Sequence, residues 1–136
     1  MSPDHHHTDN LEPDQRFPSG PWVGYYRQGN LQSRQRLSLT FRDGRISGEG
    51  RDPVDPFIVS GTYDLATGSV RLSKTYTTHT VFYDGAADGD GVGGAWEIPY
   101  FGGIVADRGE FRIWPDELAM QEALEAAQTA RVPVGG

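Results

Sequence analysis

The sequence predicts an all-β fold, an antiparallel up-and-down barrel of about eight strands followed by one C-terminal α-helix. Three observations point there. Short runs rich in aromatic and β-branched residues follow one another from Trp22 to Trp114, with turn residues between them at short intervals. Several of these runs alternate apolar and polar residues, the period-two pattern of a strand with one buried face. Only after Trp114 does the texture change to a stretch of strong helix formers.

The first run, Trp22-Val23-Gly24-Tyr25-Tyr26, closes at Gly29-Asn30. Next, Leu37, Leu39 and Phe41 alternate with Arg36, Ser38, Thr40 and Arg42. Asp43-Gly44 follows at once, a strong hairpin signal because both turn positions tolerate positive φ. The return strand is Arg45 to Gly50. Asp52-Pro53-Val54-Asp55-Pro56 then breaks the pairing, since neither proline can donate a hydrogen bond. Phe57, Val59, Gly61 and Tyr63 share one face of the next strand, which turns at Asp64 to Gly68. Val70, Leu72, Lys74 and Tyr76 alternate with Arg71, Ser73 and Thr75.

Thr77-Thr78 is a poor two-residue turn, so residues 70–83 read either as two strands or as one long strand with a bulge. His79-Thr80-Val81-Phe82-Tyr83 leads into a Gly/Asp-rich stretch, Asp84 to Gly94, that reads as a long loop. Ala95 to Ile98 and Gly109 to Trp114 are the last clear strands. A further pair around Gly102-Gly103 brings the possible total to between seven and nine strands. Pro115, Asp116 and Glu117 suit a helix start, and Met120, Ala123, Leu124 and Ala127 form one apolar stripe. Such a helix is expected to pack on the barrel wall or over one end; a movable lid and a contact between copies are its other uses.

The 136 residues make one domain. Residues 1–16 are polar, charged and proline-containing, and are expected to form a disordered arm. The domain then covers residues 17–131, and 132–136 form a flexible tail. Without cysteine there is no disulfide, no thiol nucleophile and no thiolate metal site. No basic segment followed by an apolar run opens the sequence, and no apolar stretch could span a bilayer. A cytoplasmic protein without membrane partners is therefore expected. The net charge of −7 and the scattering of the arginines along the sequence argue against nucleic acid as a partner.

The start of the first run, Gly20-Pro21-Trp22, resembles the Gly-x-Trp feature of the calycins, the small up-and-down barrels that include lipocalins and avidins. The recurring units Gly24-Tyr25-Tyr26, Gly61-Thr62-Tyr63 and Gly94-Ala95-Trp96 are similar to avidin in style. The resemblance implies a barrel enclosing a small apolar molecule, with Trp22 closing one end and Arg112 or Arg108 stacked on it. The second lipocalin signature, that family's disulfide and the biotin-holding constellation of avidins have no counterpart, so biotin binding is not implied.

Six residues are candidates for ligand contact. Lys74 lies on the core-facing side of its strand, where a lysine is costly unless paired and loses proton affinity on burial. It would anchor an acidic group or act as a base, unless it sits near a strand end and reaches water. His79 shares a face with Val81 and Tyr83; it joins Lys74 inside only if Thr77-Thr78 forms a bulge, since a regular strand sends the two to opposite faces. Tyr63, Tyr76, Tyr83 and Trp96, with Tyr26, are the aromatics of the inner wall, and those near an open end would stack on a ligand. Asp52 reads as a turn residue, or as a mouth carboxylate for Lys74 if the two ends meet.

No metal or cofactor is expected. Setting Asp88, Asp90 and Gly91 at the third, fifth and sixth places of an EF-hand puts Glu97 at the twelfth, but Ala86 then stands at the first ligand place. His5-His6-His7 has no fixed geometry, and neither a phosphate loop nor a Gly-x-Ser-x-Gly elbow occurs. The expected function is thus the binding of a small apolar or amphipathic molecule that carries a polar or acidic group. The alternatives are a cyclase- or isomerase-type enzyme on the same barrel, which needs little more than shape, and an interaction module using Ile58, Phe82 and Trp114 on the outer wall. A homo-oligomer is among the expected states.

Overall fold

The computed structural model describes residues 11–99 and 105–131. Eight strands run in sequence order: β1 (Gly20–Gln28), β2 (Leu31–Arg42), β3 (Arg45–Arg51), β4 (Pro56–Tyr63), β5 (Ser69–Thr75), β6 (Thr80–Asp88), β7 (Gly91–Pro99) and β8 (Val105–Pro115). Each pairs antiparallel with its neighbours, and β8 returns to β1 through a register that runs from Trp22↔Pro115 to Arg27↔Glu110. Closure leaves no open sheet edge. Helix α1 (Glu117–Arg131) follows. The pair considered around Gly102-Gly103 lies outside the described residues, as do His5 to His7 and the tail.

Local chemistry explains the connections. Asp43 and Gly44 both take positive φ (51° and 78°), the backbone of a tight hairpin whose twist matches its strands. Asp64 accepts hydrogen bonds from the amides of Ala66 and Thr67, which organises the β4–β5 turn. Thr77-Thr78 neither bulges nor continues a strand. Tyr76 to His79 form a turn in which the Tyr76 amide donates to the His79 carbonyl at 2.8 Å, so β5 and β6 form a hairpin. The Gly/Asp stretch from Asp84 to Gly94 is not a long loop either: β6 and β7 pair through it, from Asp84↔Ala95 to Asp88↔Gly91. Gly85 leaves room where the Phe111 ring presses in, Gly91 and Gly94 lie against backbone of the neighbouring strands, and Gly89 takes positive φ (48°) at the turn.

The barrel is filled at one end. Phe17 and Trp22 are fully buried beside Phe41, with ring centroids of both 5.5 Å from that of Phe41, and Trp22 Nε1 donates to the Pro18 carbonyl at 2.9 Å. Neither arginine expected over Trp22 reaches it. Arg112 lies outward on β8 and is bonded to Asp88 at 2.7 Å, whereas Arg108 is exposed near the opposite end of β8. An aromatic cluster takes the place of the stacked cation. Residues 11–16, read from the sequence as part of the arm, run across this end. Leu11 bridges Arg42, and Glu12 both donates its amide to the Phe41 carbonyl and accepts from the Tyr63 hydroxyl at 2.7 Å.

Helix α1 begins as the sequence suggests, with Asp116 Oδ1 accepting from the Ala119 amide. Its packing against the barrel is confined to its start. Met120 meets Gly20 and joins the core, while residues 121–129 are exposed. Only the first turn of the stripe finds the barrel.

Candidate functional site

The other end of the barrel is a shallow cup, with the chain's one lysine at its floor. Alternation along β5 carries Val70, Leu72 and Lys74 inward, and Lys74 lies opposite Val59 on β4 and Val81 on β6. The same rule brings Gln35 inward on β2 behind Leu37, Leu39 and Phe41. Asp52 follows β3 at an inward position, just before Pro53 stops the pairing. Three polar groups from distant parts of the sequence therefore converge where an apolar core would otherwise continue.

Their geometry is closed and fully paired. Lys74 Nζ lies 2.6 Å from Asp52 Oδ2, and the Lys74 and Asp52 side chains are 4 % and 0 % exposed. The ammonium also donates to Gln35 Oε1 at 3.1 Å and to the Tyr83 hydroxyl oxygen at 3.3 Å. Those three bonds use all three of its protons. Tyr83 in turn donates to Gln35 Oε1 at 3.2 Å, and Tyr76 donates to Asp52 Oδ2. The second Asp52 oxygen accepts from the amides of Val54 and Asp55 and so shapes the β3–β4 turn. Four rings surround the ammonium: Tyr26 and Phe57 with centroids at 4.4 Å, Tyr76 at 5.2 Å and Tyr83 at 5.6 Å. Ring quadrupoles and one carboxylate thus replace the water the cation has lost.

The titration behaviour follows from this burial. Desolvation pushes the Lys74 ammonium below its ordinary pKa, against the opposing pull of Asp52. For Asp52 desolvation works upward, but the hydrogen bonds from Lys74 and Tyr76 and the ammonium charge outweigh it, and the net shift is downward. Burial, then the bond to Asp52, raises the Tyr76 phenol; burial also raises Tyr83 and Tyr26. At neutral pH the centre is an ion pair surrounded by neutral phenols.

Above it lies a cavity of about 230 Å³, walled by Tyr26, Tyr76, Tyr83, Trp96, Val81 and Ile98, with Val54, Gln28 and His79 at its rim. Trp96 Nε1 donates to the Arg27 carbonyl at 3.0 Å, which fixes the indole against the wall. His79 is stacked on Tyr76 (centroids 4.8 Å apart, 23° between planes), with Nδ1 2.9 Å from Thr78 Oγ1.

Five of the six candidate contact residues therefore meet in one place: Lys74, Tyr76, His79, Tyr83 and Trp96. The turn at Thr77-Thr78 is what returns His79 to the rim beside Lys74. Tyr63 does not join them. It lies at the filled end against Phe17 (5.0 Å between centroids), and its phenol is pushed up to about 12, by burial first and then by Glu12. Gln35 and Phe57 are further contributors, both visible as inward positions once β2 and β4 are read by alternation. Asp52 supplies the mouth carboxylate for Lys74.

Outside, Ile58 and Phe82 are exposed, and Trp114 is half-buried against Tyr25. Among the described residues no three potential ligands are gathered as a metal site, and no helix is long and apolar enough to cross a membrane. Comparison with protein-family models, with curated proteins and with solved structures gives no match to this chain.

Proposed function

We propose that this barrel is a calycin-like binding protein whose cup takes a small, ring-sized, mainly apolar molecule bearing one neutral polar group. The observation that carries this reading is the aromatic cavity standing directly above a fully paired Lys74–Asp52 centre. Its 230 Å³ exceed the roughly 150 Å³ that holds benzene in an apolar cavity. They fall short of the 300–1,000 Å³ or so of sites for larger ligands. Apolar burial against Trp96, Val81 and the tyrosine rings would supply affinity at about 25 cal/mol per Å², before entropic costs.

The polar preference follows from hydrogen-bond accounting. The ion pair has no net charge and the ammonium has no proton to spare, so an acidic group would have to displace Gln35 or Tyr83. This moves the reading away from an acid anchored by Lys74 and towards a neutral donor or acceptor. Rim His79, and a Tyr26 phenol that stays un-ionised, are the groups placed to orient it.

The test is an amide-resolved NMR titration with p-cresol, benzamide and benzoate. Saturable shifts at Tyr76 to Val81 and at Trp96 are expected for the two neutral probes, with benzoate weaker. Shifts confined to the outer wall, or none with any probe, would overturn the binding reading. Tighter binding of benzoate would restore the acid-anchoring role of Lys74.

A further inference from the structure

The charges of this chain are separated in space. Residues 20–51 carry six arginines against two acids, while residues 80–131 carry ten acids against three arginines. Arginines scattered along the sequence are gathered by the β1–β2–β3 meander. Arg34 and Arg36 are exposed on one face of β2, and Arg36 stands directly opposite Arg51 on β3. Like charges directly opposite on neighbouring strands repel, and none of the three is in an ion pair among the described residues. They border a groove of about 720 Å³ whose apolar lining includes Val23, Tyr25 and Trp114.

The same molecule carries a surface of opposite sign. Helix α1 has 15 residues, a length at which an isolated helix is marginal in water, and among its described side chains only those of the first turn are packed. With Met120 turned to the barrel, the helical period places Leu118, Glu122 and Glu125 on the opposite face. Leu118 is 67 % exposed there. An apolar contact flanked by acids on the helix thus matches apolar rings flanked by arginines in the groove.

We propose that the chain self-associates, the outward face of α1 from one copy lying in the Arg34/Arg36/Arg51 groove of a second copy. If each helix enters the other copy's groove, the contact is two-fold symmetric and closes on itself. Leu118 then meets Tyr25 and Trp114, and Glu122 and Glu125 neutralise the arginine cluster. The interface lies on the outer wall, with exposed Arg34, Arg36 and Arg51 along it; Gln35 and Asp52 of the buried centre border the same groove.

Light scattering on the full chain across a concentration series, at low and high salt, tests this. A dimer that weakens with salt is expected. Two charge-reversed variants follow, Arg34→Glu/Arg36→Glu and Glu122→Lys/Glu125→Lys, all at exposed positions, with circular dichroism confirming that each keeps the barrel. Each alone should associate at least about tenfold more weakly, because like charges then face each other. Mixed together they should pair again, since both contacts of the mixed dimer regain opposite charges. A chain monomeric at every concentration, association untouched by either reversal, or failure of the mixture to pair would overturn the proposal. So would a groove that binds a single-stranded oligonucleotide while the chain stays monomeric.

Discussion

At the scale of single residues, Lys74 and Asp52 dominate. Removing one member of a buried ion pair strands the other, so Lys74→Met and Asp52→Asn should each lower stability by about 3–5 kcal/mol. Combining them should cost much less than the sum, because the double variant leaves no stranded charge; urea denaturation of all four proteins gives that cycle. The pH dependence has a definite sign. A carboxyl held below its ordinary value in the fold contributes stability that is present above about pH 4 and lost as pH falls through the folded value. Asp52→Asn should therefore flatten the acid limb of the wild-type stability profile. The lowered Lys74 value adds a term of the same slope, with stability rising as pH climbs towards about 10.4. Lys74 was legible in the sequence because one polar residue stands on an otherwise apolar parity. Gln35 carries the same signal, visible only if β2 is extended two residues before Leu37. Alternation gives the face of a strand but not the depth along the barrel, and Tyr63 closes β4 at the filled end while Phe57 opens it at the cup.

Among the elements, the strands of the cup are shaped by glycines set against aromatic rings. Phe57 lies across Gly50, its Cα partner on β3, and Trp96 lies across Gly109, its partner on β8. A Cβ on Gly109 would stand 2.5 Å from Trp96 Nε1 and 2.0 Å from the Arg27 carbonyl oxygen, the acceptor that holds the indole. Gly109→Ala should therefore cost about 1–3 kcal/mol by overpacking. It should also shift the tryptophan emission as Trp96 leaves its seat; unchanged stability and emission would mean that the wall yields without moving the ring. Such pairing across strands is invisible to local reading, which explains why Asp84 to Gly94 resembles a loop on composition. Turns with their own chemistry are legible locally, as at Asp43-Gly44, where both residues take positive φ. The helix was legible as an element from its formers and its Asp116 start, but its position was not, because an apolar stripe does not say which surface will cover it.

For the whole molecule, the two ends of one barrel have different work, and mutations should separate them. The filled end holds Phe17, Trp22, Phe41 and Tyr63 in mutual contact, with the segment from Leu11 drawn across it. Trp22→Ala should empty a fully enclosed volume and cost about 3–5 kcal/mol. It should leave probe binding at the cup unchanged, since Phe41 and Pro18, the ring and carbonyl that hold the indole, are not among the residues that wall the cavity. His79→Ala should do the reverse. The imidazole sits at the rim, stacked on one face of Tyr76 and bonded locally to Thr78, so its loss should change stability by about 1 kcal/mol or less. Yet it removes one wall of the opening and a polar group placed to meet a ligand, so affinity for p-cresol should fall. Thermal unfolding and NMR titration of the two variants form one experiment with crossed outcomes. If Trp22→Ala weakened binding as much as it weakened the fold, the cup would depend on the rigidity of the entire barrel. If His79→Ala left affinity intact, recognition would rest on Trp96 and the tyrosine rings alone. The crossed pattern is expected because the buried core lies between the two ends, with Leu39, Val59, Val70, Val92 and Ile113 closed to water. A side chain lost at one end then leaves a local cavity rather than a shift transmitted to the other.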